Sequence, residues 1–157
     1  VNPQYVIGGQ ANLWTEQVYN IRQAEYMTWP RAFAISESIW SPSEKKNWTN
    51  FVDRTQQHFK RLDLAETKYS PAIYDPIINV RRSADRQLLV ELTPEIDGLE
   101  IYYSFDNSSP DRFYPKYTAA VQVPKDASMM RVITYKGKQP VGRLISIPVS
   151  DLQKRTK

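Results

Sequence analysis

The apolar residues of this chain change their period near Tyr69, and that change limits the fold more than any other feature. Before it, Trp48, Phe51, Val52, Thr55, Phe59 and Leu62 recur at steps of three and four, the spacing of an amphipathic helix. After it the step falls to two. Leu88, Val90 and Leu92 of "RQLLVELT" share one face of a strand. In "LEIYYSF", Leu99, Ile101, Tyr103 and Phe105 take one face, and Glu100, Tyr102 and Ser104 the other. Helices followed by strands make an α+β chain. Its 157 residues suffice for one ordinary domain or two small ones, and the change of period predicts two, residues 1–74 and 75–157.

In the first part the pattern is helical from about Glu16 to Lys60. Pro30 suits the first turn of a helix, where its missing N–H is no loss. That helix carries "RAFAISESIW", with Phe33, Ile35, Ile39 and Trp40, and stops at Ser41-Pro42. Ser43 then reads as the cap of a third helix, with Glu44 in its first turn. In the second part "MMRVITY" and "RLISIPVS" are further strands. Turn signals separate them at Asp97-Gly98, Asp106 to Pro110, Pro124 to Asp126 and Lys136 to Lys138. Roughly six short strands at this spacing predict an immunoglobulin-like antiparallel β-sandwich. The linking "YSPAIYDP" holds two prolines and is expected to be extended.

Several chemistries are set aside by composition. Without cysteine there is no disulfide, thiolate metal site or thiol nucleophile, and neither a metal nor a cofactor is expected. Net charge is +4, with 8 basic and 7 acidic residues before Tyr74 and 13 and 10 after it. Charge spread so evenly is a solvated surface, not the clustered footprint of a nucleic-acid binder. No apolar run is long enough to span a membrane. His58, the single histidine, has no Ser-Asp or ligand partner near it in sequence and reads as a surface residue. The first residue is Val1, which suggests processing or a piece of a longer protein. Asn47-Trp48-Thr49 and Asn107-Ser108-Ser109 match the glycosylation pattern, which matters only in a eukaryotic secretory setting.

The stretch "GGQANLWTE" carries the main candidate site. Tyr5 to Ile7 before it reads as a short buried strand, and the two glycines mark a close approach of backbone. A strand followed by a helix is one β/α unit, which cannot cover both its faces alone and wants parallel neighbours. The first part therefore looks like the last unit of a (β/α)8 TIM barrel, in which side chains at the C-terminal ends of strands line the active site. On an extended chain Trp14 and Glu16 share a face. An indole there packs on the C–H face of a pyranose while the carboxylate accepts bonds from its hydroxyls. A buried tryptophan beside an acidic helix start fits the same spacing.

These blocks resemble a known family. "GGQANLWTE", "YMTWPRAFAISESIWSP", "NWTNFVDRTQQHFKRLD" and "TKYSPAIYDP", in that order over Tyr5 to Pro76, closely resemble the C-terminal end of the catalytic barrel of family-twenty glycoside hydrolases, the β-N-acetylhexosaminidases and chitobiases. The resemblance implies that Trp14 walls the subsite for a non-reducing N-acetylglucosamine and that Glu16 binds its C4 and C6 hydroxyls. It makes Arg31 and Glu37 structural. "IYYSFDNSSPD" resembles, more weakly, the β-sandwich often appended to these enzymes, with Asn107 where a glycine is usual. The family hydrolyses terminal N-acetylhexosamine from glycans or chitooligosaccharides by substrate-assisted, retaining catalysis. Its Asp-Glu pair lies on an earlier strand, and no Asp-Glu dipeptide occurs here. The resemblance therefore implies a C-terminal fragment of a glycosidase, without catalytic residues and inactive alone. The implied parent is bacterial and periplasmic or extracellular, and its partners are N-acetylhexosamine glycans. Cut from its neighbours, the barrel remnant is expected to keep only a short or lost strand near Val6 and to pack on itself or self-associate.

The alternative is a non-catalytic carbohydrate-binding or protein-interaction module built on the sandwich. Tyr102, Tyr114, Tyr117 and Tyr135 are its candidate sugar-binding face, though strand packing accounts for them as well. The sandwich has no tryptophan to stack on a sugar, which favours a structural appendage.

Overall fold

A computed structural model describes residues 3–156. The chain divides into two compact units, Val1–Ser70 and Pro71–Lys157.

The first unit holds three helices, α1 (Ile21–Thr28), α2 (Arg31–Trp40) and α3 (Trp48–Leu64). Asn20 caps α1 by accepting from the Gln23 amide, and the Gln23 side chain reaches back to accept from the Tyr19 amide, so two orphan donors are satisfied reciprocally. Pro30 stands just ahead of α2 as its cap, after a cis peptide bond. The third helix begins later than its sequence suggests. Ser43–Lys45 form a single 3-10 turn, the backbone is extended at Lys46 and Asn47, and Asn47 makes the cap, accepting from the Asn50 amide.

Burial in this unit is concentrated on α3, where Phe51, Val52, Thr55 and Phe59 are buried; no residue of α1 or α2 is. Phe33 of α2 rests between Trp29 and the ring of His58, each 4.7 Å away between centroids. His58 is thus a stacking partner, not a bare surface residue. The chain after α3 folds back: Tyr69 stacks on Phe59 at 4.2 Å, and the Ser70 amide donates to the Trp29 carbonyl. Arg22 donates to the Glu66 carbonyl, and the Lys68 amide donates to Glu25.

The strand expected over Tyr5–Ile7 is absent. Pro3–Tyr5 form a 3-10 turn, residues 6–15 belong to no helix or strand, and Tyr5 and Ile7 are exposed. A parallel strand takes its partners from both sides, and the described residues offer none here.

The second unit contains two antiparallel sheets. The first orders β1 (Ile77–Arg82), β2 (Leu88–Thr93) and β4 (Val121–Gln122). The second orders β3 (Glu100–Ser104), β5 (Met129–Lys136) and β6 (Gln139–Pro140), with β7 (Ile145–Pro148) also on β5. Leu88, Val90 and Leu92 from the first sheet, with Val123 just after β4, form one core with Ile101, Met130, Val132 and Ile147 from the second. The alternation read in "RQLLVELT" is the burial observed. Asn107 takes a left-handed conformation, as do Gly98 and Gly137.

Two local expectations fail, and one strand is missed. "YSPAIYDP" is not extended, because Pro71–Tyr74 make a 3-10 turn in which a proline's fixed φ suits the first position. "RLISIPVS" does not end as a strand: the chain turns helical after Pro148 and forms α4 (Val149–Lys154), whose Leu152 is fully buried in the core. β1 has no counterpart among the strands read from the sequence, although its Ile78 and Val80 alternate and pack against the core.

A buried carboxylate ties the unit's entry to its last turn. Asp75 accepts the Arg143 amide at 2.9 Å and the guanidinium Nε at 2.6 Å. Beside it Thr134 Oγ1 donates to the Tyr74 carbonyl at 2.7 Å. Gly142 passes so close that a Cβ there would lie 2.0 Å from Thr134 Oγ1.

Candidate functional site

Trp14 and Glu16 lie in the irregular segment that leads into α1. Trp14 is 75% exposed. Glu16 stands in a turn closed by the Val18 amide donating to the Thr15 carbonyl at 3.0 Å, and it is exposed. No strand holds the two on a common face, so the two-residue argument for their juxtaposition has no ladder behind it. The structure contains the segment and its exposure, not an assembled pocket.

Two elements fix where this segment runs. Gly9 packs against α2: a Cβ added there would meet Ile39 Cδ1 at 3.3 Å, whereas Gly8 faces open space. The close approach that the glycine pair suggests therefore falls on Gly9 alone. At the other end, Gln23 Nε2 donates to the Gln17 carbonyl at 3.0 Å while its Oε1 accepts the Tyr19 amide at 3.1 Å. One glutamine thus pins the turn after Glu16 to the start of α1. The signal for it, Asn20-x-x-Gln23 ahead of a helix, is a capping-box pattern.

Arg31 and Glu37 are engaged with their neighbours. Arg31 donates to the Tyr26 and Met27 carbonyls at the end of α1, where a cation is favoured. Glu37 accepts from Arg54 at 2.8 Å, which joins α2 to α3. The Arg54 hydrogen bond holds the Glu37 carboxyl below the usual range, the reverse of what a general acid near neutral pH requires. Among the described residues no group of acidic and histidine side chains is placed to hold a metal, and no helix is long and apolar enough to cross a membrane.

The four tyrosines of the sandwich separate. Tyr102 and Tyr135 are buried and meet edge to face at 5.4 Å, so they are packing residues. The Tyr102 hydroxyl donates to Glu100, whose other oxygen accepts from Lys116 at 2.5 Å. Burial, then the hydrogen bond to Glu100, raises the Tyr102 pKa; Lys116, then Tyr102, lowers that of Glu100. Tyr117 packs against the core. Tyr114 alone lines a cavity, together with Tyr103 and Phe105.

Comparison with known proteins follows the same division. Residues 2–43 match the family described as glycosyl hydrolase family 20, catalytic domain, and residues 90–146 match the family described as Fn3 associated. A β-hexosaminidase of Porphyromonas gingivalis is 29% identical over 146 residues, 90% of this chain and 18% of that protein. A β-N-acetylhexosaminidase of Cellulomonas fimi is 34% identical over 58 residues, covering 37% of the chain and 12% of the relative. The β-hexosaminidase subunit A1 of Dictyostelium discoideum is 40% identical over 40 residues, 26% and 7% of the two. The chain thus spans less than a fifth of the length of each of these relatives.

Proposed function

We propose that this chain, whose residues 2–43 match glycosyl hydrolase family 20, is the C-terminal part of a β-N-acetylhexosaminidase. The observation that carries the proposal is the Porphyromonas gingivalis relative, which matches over 90% of the chain and hence over parts of both units in one protein. The parent removes terminal non-reducing N-acetylhexosamine from glycans or chitooligosaccharides. It works by substrate-assisted retaining catalysis, in which the sugar's own acetamido oxygen attacks the anomeric carbon and an enzyme carboxylic acid protonates the departing oxygen. Neither that acid nor the aspartate that orients the acetamido group belongs to this chain, and the Asp-Glu dipeptide that supplies them is missing from its sequence.

In the parent, Trp14 and Glu16 contribute binding. The indole covers the C–H face of the sugar and the carboxylate accepts its C4 and C6 hydroxyls. That holding matters to the chemical step, because a sugar placed for attack reacts faster than one that wanders. The parent acts in the periplasm or outside the cell. The isolated chain is inactive, and the exposed apolar side chains of its first unit, among them Ile7, Trp14, Ile21 and Trp40, lead it to self-associate.

Steady-state hydrolysis of a chromogenic N-acetyl-β-glucosaminide tests this. The parent should turn over, and the 157-residue chain should not. Glu16→Gln in the parent should lower kcat/KM by about ten- to a hundredfold, the worth of one or two charged hydrogen bonds. Unchanged kinetics in that variant would remove Glu16 from the sugar's subsite, and turnover by the purified chain would overturn the division of roles.

A further inference from the structure

We propose that the sandwich carries a binding site of its own for one pyranose ring of an N-acetylhexosamine glycan, in a cavity of about 380 Å³ lined by Tyr103, Phe105, Tyr114, Asp106 and Asp126. The sugar class follows from the lining; its N-acetylhexosamine identity rests on the function proposed above.

The cavity lies where two loops meet, the segment that follows β3 and the one between β4 and β5. Loops on a rigid scaffold are where binding residues gather. Its volume falls in the range of about 300–1,000 Å³ typical of small-ligand sites, near the low end, which suits a single ring better than an extended peptide. Three of the lining side chains are aromatic. Tyr103 and Phe105 lie edge to face at 5.8 Å and pack on the core, so their rings are fixed from below. Tyr114 comes from the loop and is half-buried. Two carboxylates complete the wall. Asp106 accepts the Ser108 amide at 3.0 Å and the Tyr114 hydroxyl at 3.4 Å, which orients both the carboxylate and the Tyr114 ring. The Ser108 amide holds the Asp106 carboxyl below its usual range, so it stays an anionic acceptor. Aromatic faces beside anionic acceptors answer the two surfaces of a pyranose, its C–H patch and its hydroxyls.

The loops are anchored before any ligand arrives. The Tyr117 amide donates to the Ile101 carbonyl at 2.8 Å, Asp111 accepts the Phe113 amide at 2.8 Å, and the Val123 amide donates to the Leu88 carbonyl at 2.9 Å. A preformed site spares the ordering entropy of binding. The sandwich lacks tryptophan, so tyrosine and phenylalanine supply its stacking surface.

Amide chemical shifts of the full chain, titrated separately with chitotriose, cellotriose and a proline-rich peptide, test the proposal. Chitotriose should produce saturable shifts at residues 103–106, 114 and 124–127, with millimolar or tighter affinity. Tyr114→Ala should weaken binding about tenfold through the lost stacking surface. Tyr114→Phe keeps the ring but loses the hydroxyl that Asp106 accepts, so it should weaken binding less than Tyr114→Ala, and Asp126→Asn, on an exposed turn, should weaken it severalfold. Flat spectra at tens of millimolar chitotriose would overturn the proposal. So would shifts from cellotriose or the peptide without shifts from chitotriose, or shifts confined to the first unit. The parent's hydrolytic activity has no part in this measurement, so the two proposals fail separately.

Discussion

Replacing Asp75 by alanine removes the acceptor at the point where the sandwich begins. Asp75 is 8% exposed, and its two oxygens take the Arg143 amide and guanidinium. Breaking a buried ion pair by deleting one partner costs about 3–5 kcal/mol. Here the Arg143 side chain is 49% exposed, so the guanidinium regains water once its partner has gone. The loss that stays is the charged hydrogen bond to the Arg143 backbone amide, about 1.5–3 kcal/mol, together with the packing of the side chain. We expect a destabilisation of about 2–3 kcal/mol, a large share of the roughly 5–15 kcal/mol that holds a domain together. The assay is amide hydrogen exchange at Met130, Val132 and Thr134, in the central strand β5. In the central strand, these amides should exchange through opening of the whole unit, so their protection should fall about thirty- to a hundred-and-fortyfold. Asp75→Asn keeps one acceptor and should lose about half as much free energy. Protection within threefold of the parent in Asp75→Ala would refute the argument and make the interaction a surface one.

Gly142→Ala places a methyl group 2.0 Å from Thr134 Oγ1; it should break the Thr134–Tyr74 hydrogen bond and destabilise the sandwich by about 1–3 kcal/mol, read as a lowered urea midpoint at unchanged slope. The Glu100–Lys116 pair has a pH signature. Glu100 titrates below its ordinary value, so its contribution is present above the ordinary glutamate range and is lost as pH falls through the lowered value. Lys116 titrates above its ordinary value, so its contribution is present below the ordinary lysine range and is lost as pH rises through the raised one. Lys116→Met should return the Glu100 midpoint, followed by carboxyl NMR, toward the ordinary range; an unmoved midpoint would place the cause elsewhere.

How much of this was legible varies with the kind of signal. The sandwich was legible because period-two burial is printed in side chains: Leu88, Val90 and Leu92 are buried as their spacing requires. α3 was legible by the same logic at period 3.6, although its start was not, since Ser43 and Asn47 are both good caps and only backbone geometry at Lys46 decides between them. β1 escaped because its alternating pair, Ile78 and Val80, is only half-buried and is cut short by Arg81 and Arg82, too brief a run to stand out as a strand. α4 escaped because its one fully buried residue, Leu152, carries no period by itself. At the candidate site, the identity of Trp14 and Glu16 could be read from the motif, but their relative placement could not: it depends on strand neighbours, which no local pattern encodes. The cavity around Tyr114 was half legible. The tyrosine was a candidate, while its companions Phe105 and Asp126 come together only through the loops that carry them.

The distribution of indoles has an optical consequence. Every tryptophan of the chain belongs to the first unit, so tryptophan-selective fluorescence is blind to the sandwich. Even within that unit the four are unequal reporters. Trp14 and Trp40, 75% and 85% exposed, already emit from water and will change little on unfolding. Trp48 is half exposed, whereas Trp29 is partly buried and stacked near Phe33. The emission shift on unfolding therefore reports mainly the surroundings of Trp29: the loosening of α2 from α3 and of the returning chain whose Ser70 amide bonds the Trp29 carbonyl. A melt followed by emission alone records the opening of that helical corner and leaves the sandwich dark.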